Sequence, residues 1–149
     1  MIVEGTGSLF DASVEALVNP VNTVGVMGKG LAAEFKMRFP TNFLLYARAC
    51  ARGEVRIGKV FVASTGAPTF QYILNFPTKP HWREPSQVSY IREGLIDLVA
   101  QVQHLKVQSL AVPALGCGNG GLSYKHVRPL LEQAFQPFPA IRVVLFPPL

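Results

Sequence analysis

Acidic side chains are scarce in this chain. Its 149 residues include 9 Asp and Glu against 14 Lys and Arg, a net charge of +5. Charged residues make up only 15% and hydrophobic ones 49%, which excludes a disordered chain, because disorder needs low hydrophobicity and high net charge. Cysteine is nearly absent: Cys50 and Cys117 lie far apart and form no CxxC, so they make neither a disulfide framework nor a thiol motif, and reduced thiols are expected. No apolar run approaches the roughly 20 residues of a membrane span. The opening segment, Met1 to Gly7, contains Glu4 and no basic stretch, unlike a signal peptide. His81, His104 and His126 have no metal-ligand spacing and few carboxylates near them, so no metal site is expected. Repeats and linkers are missing too. The expectation is one cytoplasmic domain with its own core and no membrane association. The basic excess suits an anionic ligand or nucleic acid, and equally a merely solvated surface.

What is present alternates. Ile2-Val3 opens a short strand, and Ala16 to Asn22 reads as a buried one. Leu31 to Arg38 and Asn42 to Ala51 read as helices separated by Pro40, with Thr41 as N-cap of the second. Lys59 to Ser64 and Gln71 to Phe76 form a strand pair divided by Gly66 and Pro68. After Ser86, the residues Val88, Ile91, Leu95, Leu98, Val102 and Leu105 make one apolar stripe, which predicts the longest helix. Ser109 to Ala114 is the next buried strand. A helix from about Ser123 to Phe135 follows, with Pro129 separating its first turn from the rest, and Ile141 to Phe146 closes as a strand. Strands taking turns with helices predict a layered α/β/α domain.

Two glycine-rich loops, Gly25 to Gly30 and Gly116 to Gly121, each follow a buried strand and precede a helix. Ligands bind at the carboxyl ends of strands in such domains. Glycine lets the backbone approach a ligand, and free N–H groups at a helix start attract phosphate. The second loop has four glycines in six residues, more than a tight turn needs. Known phosphate motifs fit poorly. Gly28-Lys29-Gly30 lacks the Ser or Thr that follows Lys in a Walker A loop. Gly116, Gly118 and Gly121 satisfy GxGxxG, but the next strand has no acidic residue for a ribose hydroxyl. A phosphate-bearing nucleotide is expected; an ordinary NTPase or dehydrogenase is not.

Three segments carry a resemblance: Asn22-Thr-Val-Gly-Val-Met-Gly-Lys-Gly-Leu-Ala32, Asn75-Phe-Pro-Thr-Lys-Pro-His-Trp-Arg83 and Pro113-Ala-Leu-Gly-Cys-Gly-Asn-Gly-Gly-Leu122. In this order they resemble the macrodomain family, and within it the DarG-type antitoxins that remove ADP-ribose from DNA. The likeness spans essentially the whole chain. It implies a three-layer macrodomain over residues 1–149 with a mixed, about six-stranded sheet. ADP-ribose would lie across the crevice, its distal ribose against Asn22, Thr23, Gly25, Val26, Met27, Gly28 and Gly30. Its diphosphate would lie against Gly116, Cys117, Gly118, Asn119, Gly120, Gly121 and Leu122. The implied substrate is ADP-ribosylated thymine in single-stranded DNA, with no cofactor and a monomeric protein. Relatives of this type continue into a region that engages the DarT-type toxin, so the resemblance allows the natural chain to extend past Leu149. Two positions depart from the family. Gly7-Ser8 stands where many macrodomains carry Gly-Asp, the Asp reading the adenine amino group. Gly120 stands where a related hydrolase has an Asp paired with a catalytic Lys, which leaves no lysine–aspartate dyad between these loops.

Single residues admit a plain and a functional reading. Lys79, between Pro77 and Pro80, is a solvated lysine or, following the resemblance, the catalytic group; the prolines stiffen the backbone that aims it. Asn22 either caps its loop or bonds the ligand, orienting it for catalysis. Trp82 and Arg83 either stack on a base and pair with phosphate, or Trp82 folds onto the core. Cys117 has no adjacent His or acid and reads as a small buried cysteine, not a nucleophile. Lys29 solvates its loop or touches phosphate. A side chain introduced at Gly118 or Gly120 is expected to obstruct the phosphates and spare the fold. Four functions fit these residues: a hydrolase acting on ADP-ribosylated DNA, one acting on ADP-ribosylated protein, a non-catalytic ADP-ribose module, and a general nucleic-acid binder.

Overall fold

The computed structural model describes residues 1–149. Strands β1 (Ile2–Glu4), β2 (Ala16–Val21), β3 (Phe61–Ser64), β4 (Tyr72–Pro77), β5 (Ser109–Val112) and β6 (Arg142–Leu145) form one six-stranded sheet ordered β1-β6-β5-β2-β4-β3. Every pairing is parallel except β3 with β4. The sheet is therefore mixed, with its one antiparallel strand at an edge. Helices α1 (Gly30–Arg38), α2 (Pro40–Ala51), α3 (Val88–His104) and α4 (Tyr124–Phe135) cover both faces.

The central strands are mostly apolar on both faces because both are covered. On one face Ala16, Val18, Leu74, Phe76, Leu110, Val112, Val143 and Leu145 meet Ile91, Leu95, Leu98 and Val102 of α3 and Val127, Leu131 and Phe135 of α4. On the other face Leu17, Ile73, Ala111 and Val144 pack against Phe35 of α1 and the short 3-10 turn at Leu9–Asp11. Val21 joins Met27, Val55, and Tyr46 and Ala49 of α2 in a smaller cluster.

Three buried asparagines interrupt this apolar pattern. Asn19 and Asn42 each donate to Oδ1 of Asn75, at 3.0 and 3.2 Å, and Asn75 donates back to Asn42 at 2.9 Å. Asn75 also donates to the carbonyl of Phe61. The network fastens α2 to β2, β4 and β3, and α2 in turn supports the first glycine loop.

Local details differ from the sequence-based expectation. Thr41 is exposed inside α2 rather than capping it; Phe39 is the cap and Pro40 the first helical residue, where its missing N–H is harmless. Pro129 does not divide α4, which runs through it. Pro129 and Lys125 both lie on the exposed side, so water can take the Lys125 carbonyl that proline leaves unbonded. Strands β3, β5 and β6 are shorter than their apolar runs, because flanking residues such as Pro113 and Ala114 have already entered loops.

Candidate active site

Strands β2, β4 and β5 are neighbours and parallel, so the loops after them leave the sheet along one edge. The two glycine loops and the lysine loop thus meet because of topology, although they are distant in sequence.

The first loop is held by its own asparagine. Asn22 is 6% exposed; its Oδ1 accepts from the N–H groups of Val24 (3.1 Å) and Val26 (3.4 Å), and its Nδ2 donates to the Val26 carbonyl at 2.8 Å. The Tyr46 hydroxyl lies 2.8 Å from both the main-chain and side-chain oxygens of Asn22. Burial pushes the Tyr46 phenol far above its ordinary range, so it stays a neutral donor. Loop capping is thus what Asn22 does, and one of its two amide N–H groups is left over for a ligand. The Met27 side chain is buried against Tyr46 and Ala49, so only its main chain can face a ligand. Gly25 rests on Ala47 and Cys50 of α2, and Val24 and Val26 are exposed. Gly28, Lys29 and Gly30 are exposed at the start of α1, where no side chain caps the first turn.

The second loop makes a 3-10 turn at Gly118–Gly120 with positive φ at Gly116, Gly118 and Gly121. Gly118 and Gly121 are exposed, with open space where a side chain would project. Asn119 faces the first loop: a Cβ on Gly30 would lie 3.6 Å from its Nδ2. Gly120 differs from Gly118. It is buried, and a Cβ there would sit 3.1 Å from the Cβ of Ser86. The expectation that a side chain at Gly120 would spare the fold is therefore corrected. Cys117 is half-buried, and burial pushes its thiol up, which keeps it protonated and a poor nucleophile. Leu122 packs partly against the core and donates its N–H to the Gly116 carbonyl, closing the loop.

The third loop places Lys79 against the second glycine loop and Pro80 against the first. The Lys79 Nζ donates to the carbonyls of Trp82 (3.1 Å) and Asn119 (3.5 Å), and none of the chain's ion pairs includes it. Thr23 crosses from the first loop and gives both its N–H (3.1 Å) and its hydroxyl (2.7 Å) to the Pro80 carbonyl. Trp82 is 44% exposed, which removes the core-anchor reading. Its ring lies 5.1 Å from that of His81 and 4.5 Å from the Arg83 guanidinium, an exposed aromatic and cationic platform. Ser8 uses its hydroxyl to cap the Leu9–Asp11 turn by accepting from Phe10 N–H. The nearest carboxylate is that of Asp11, 3.9 Å from where a Gly7 Cβ would be.

Sequence reasoning missed Ser86, Thr78 and Tyr46. Ser86 was visible only as the residue before a helix, and Tyr46 meets Asn22 across 24 positions, a pairing no local pattern announces. The asparagine network had one available signal: polar residues inside strands otherwise apolar.

The structure is thus a layered α/β domain with a mixed sheet, in which two glycine loops and a lysine loop meet at the carboxyl ends of β2, β4 and β5. The chain belongs to the macrodomain family; a family model described as Macro domain matches residues 18–131. It is 53% identical to a DNA ADP-ribosyl glycohydrolase of Mycobacterium tuberculosis over 99% of this chain and 42% of that protein. Among solved structures it matches the macrodomain of Mycobacterium tuberculosis DarG with a TM-score of 0.98, covering 100% of this chain and 99% of that one at 53% identity. It also matches Thermosipho africanus DarTG in complex with ADP-ribose, with a TM-score of 0.87 at 37% identity over 96% of this chain and 40% of that one. The chain spans about two-fifths of the length of the DNA ADP-ribosyl glycohydrolases it matches.

Proposed function

We propose that residues 1–149 form the macrodomain unit of a DNA ADP-ribosyl glycohydrolase, which removes ADP-ribose from thymine bases in single-stranded DNA. As an antitoxin it would reverse the modification made by a DarT-type DNA ADP-ribosyltransferase, with toxin contacts made by a region outside this chain. The observation that carries this reading is the position of Lys79, its ammonium held against Asn119 of the second glycine loop while the next residue, Pro80, is tied to Thr23 of the first. The 53% identity to a protein of that activity supports it. No helix is long and apolar enough to cross a membrane.

The reaction breaks the bond between the ribose anomeric carbon and a thymine ring nitrogen. The bonding pair leaves with the base, positive character develops on the ribose, and the oxygen of water bonds to the anomeric carbon while one water proton ends on the base, directly or by restoring the Lys79 ammonium. Lys79, as ammonium, stabilises or protonates the departing base. Asn22, through its free amide N–H, orients the ribose. The N–H groups of Gly118 and Asn119, which no backbone carbonyl takes, hold the diphosphate, and that fixes the anomeric carbon relative to Lys79. Trp82 and Arg83 receive the flanking single strand by stacking and phosphate pairing.

The test is incubation with ADP-ribosylated single-stranded DNA, RNA and protein side by side, with released ADP-ribose measured. Release from DNA alone is the expected result. Binding of ADP-ribose without release from any of the three would reduce the domain to a reader of the modification.

A further inference from the structure

Lys79 sits on a loop pinned at both flanks. Before it, Thr78 gives its N–H to the Val21 carbonyl at 2.8 Å, which extends the β2–β4 ladder by one bond. After it, the Pro80 carbonyl accepts the two donors of Thr23. The remaining tie comes from Ser86, at the far end of the loop. Its hydroxyl donates to the Thr78 carbonyl, and its N–H donates to the Gly120 carbonyl at 2.8 Å. Ser86 is 6% exposed. It fits where two glycines have no side chain: a Cβ on Gly116 would lie 2.9 Å from its Oγ, and one on Gly120 3.1 Å from its Cβ.

We propose that Ser86 is a positioning residue for Lys79, acting through the Thr78 carbonyl. The inference rests on the reading of Lys79 as the catalytic group. The Thr78 carbonyl and the Lys79 N–H belong to one planar peptide unit. Holding that oxygen fixes the plane from which the Lys79 Cα departs. Pro80 then confines Lys79 to extended backbone, and Thr23 fixes the peptide unit beyond Pro80. The long side chain therefore starts from a defined point and direction, and its Nζ arrives between Trp82 O and Asn119 O. Ser86 also couples two loops through one residue, since the amide that holds Gly120 and the hydroxyl that holds Thr78 share a backbone. The glycines at 116 and 120 thus make room for this serine as well as for a ligand.

Ser86→Ala separates these contributions, because it keeps the N–H tie to Gly120 and removes only the hydroxyl. Two quantities are measured on the same protein: kcat for release of ADP-ribose from an ADP-ribosylated thymidine oligonucleotide, and Kd for free ADP-ribose by calorimetry, which also reports that the crevice is folded. Expected is a fall in kcat of roughly 10- to 100-fold, the scale of a misplaced catalytic group, with Kd unchanged within error. An unchanged kcat would overturn the proposal, and so would a parallel loss of ADP-ribose affinity, which would mark Ser86 as a part of the binding crevice only. Lys79→Ala is measured alongside. If that variant releases ADP-ribose normally, the catalytic reading itself falls; if it is inactive and Ser86→Ala is normal, only the role of Ser86 falls.

Discussion

At the scale of the residue, the chemistry proposed for Lys79 depends on its surroundings. Its Nζ donates to two carbonyl oxygens and faces no carboxylate that could remove a proton. That arrangement suits an ammonium acting on the departing base better than a free amine attacking the sugar. Lys79→Ala should keep ADP-ribose binding and lose release by roughly 10²- to 10⁴-fold, the usual contribution of a general acid; single-turnover assays on modified oligonucleotide measure it. Borohydride added during turnover should trap nothing on Lys79, whereas a reduced adduct found there by mass spectrometry would establish covalent attack. Cys117 makes a contrasting case. Its thiol titrates above the ordinary cysteine range because it is desolvated, so its thiolate fraction at neutral pH falls below that of an exposed cysteine. Iodoacetamide should modify it more slowly than it modifies a free thiol of ordinary pKa, and more quickly as pH rises; a rate matching the exposed standard would contradict this. Lys79 and the glycines were legible from sequence because their neighbours are distinctive. Ser86 and Tyr46 were not, since each acts on a backbone oxygen or a side chain that only the folded chain brings near.

At the scale of the element, the loops divide the labour. The loop of Gly116 to Gly121 offers N–H groups and open space at Gly118, so Gly118→Glu should block the diphosphate by bulk and charge. The positive φ at Gly118 adds a cost of about 1–2 kcal/mol, which a domain of this size tolerates. Loss of ADP-ribose binding by calorimetry with an unchanged far-UV spectrum is expected, and retained binding would move the diphosphate elsewhere. The lysine loop carries the Trp82 platform. Trp82→Ala should remove about 1–3 kcal/mol of base stacking and so weaken turnover of modified DNA while barely changing the affinity for free ADP-ribose. Equal losses in the two assays would instead give Trp82 a part in the ADP-ribose crevice itself. Elements were the most legible level of this chain. The apolar stripe of α3 and the apolar runs of the strands were readable in the sequence, whereas helix ends were not: Thr41 looked like a cap, but the helix begins at Pro40, two residues before the expected Asn42.

At the scale of the whole molecule, the layered α/β class followed from alternation, while strand order required the fold, because nothing local says that the first strand joins the sixth. The charge of +5 is likewise a molecular property. Affinity for ADP-ribosylated single-stranded DNA should fall as salt rises, by roughly 0.7 in the log–log slope for each DNA phosphate engaged, and more steeply than affinity for free ADP-ribose; fluorescence anisotropy across a salt series measures both. Identical slopes would mean that the strand outside the ADP-ribose is not held. The pairing of β1 with β6 has a different kind of consequence. Ile2 lies opposite Val143 and Glu4 opposite Leu145, so β1 has its only strand partner at the opposite end of the domain's sequence. During synthesis β1 must wait while the rest of the sheet assembles around β2, β4 and β5. Closing that long loop comes late and carries an entropic cost before any ladder bond repays it. Until then the outer edge of β6 stands open, and it is in that interval, rather than in the finished domain, that the chain is most exposed to pairing with another copy of itself.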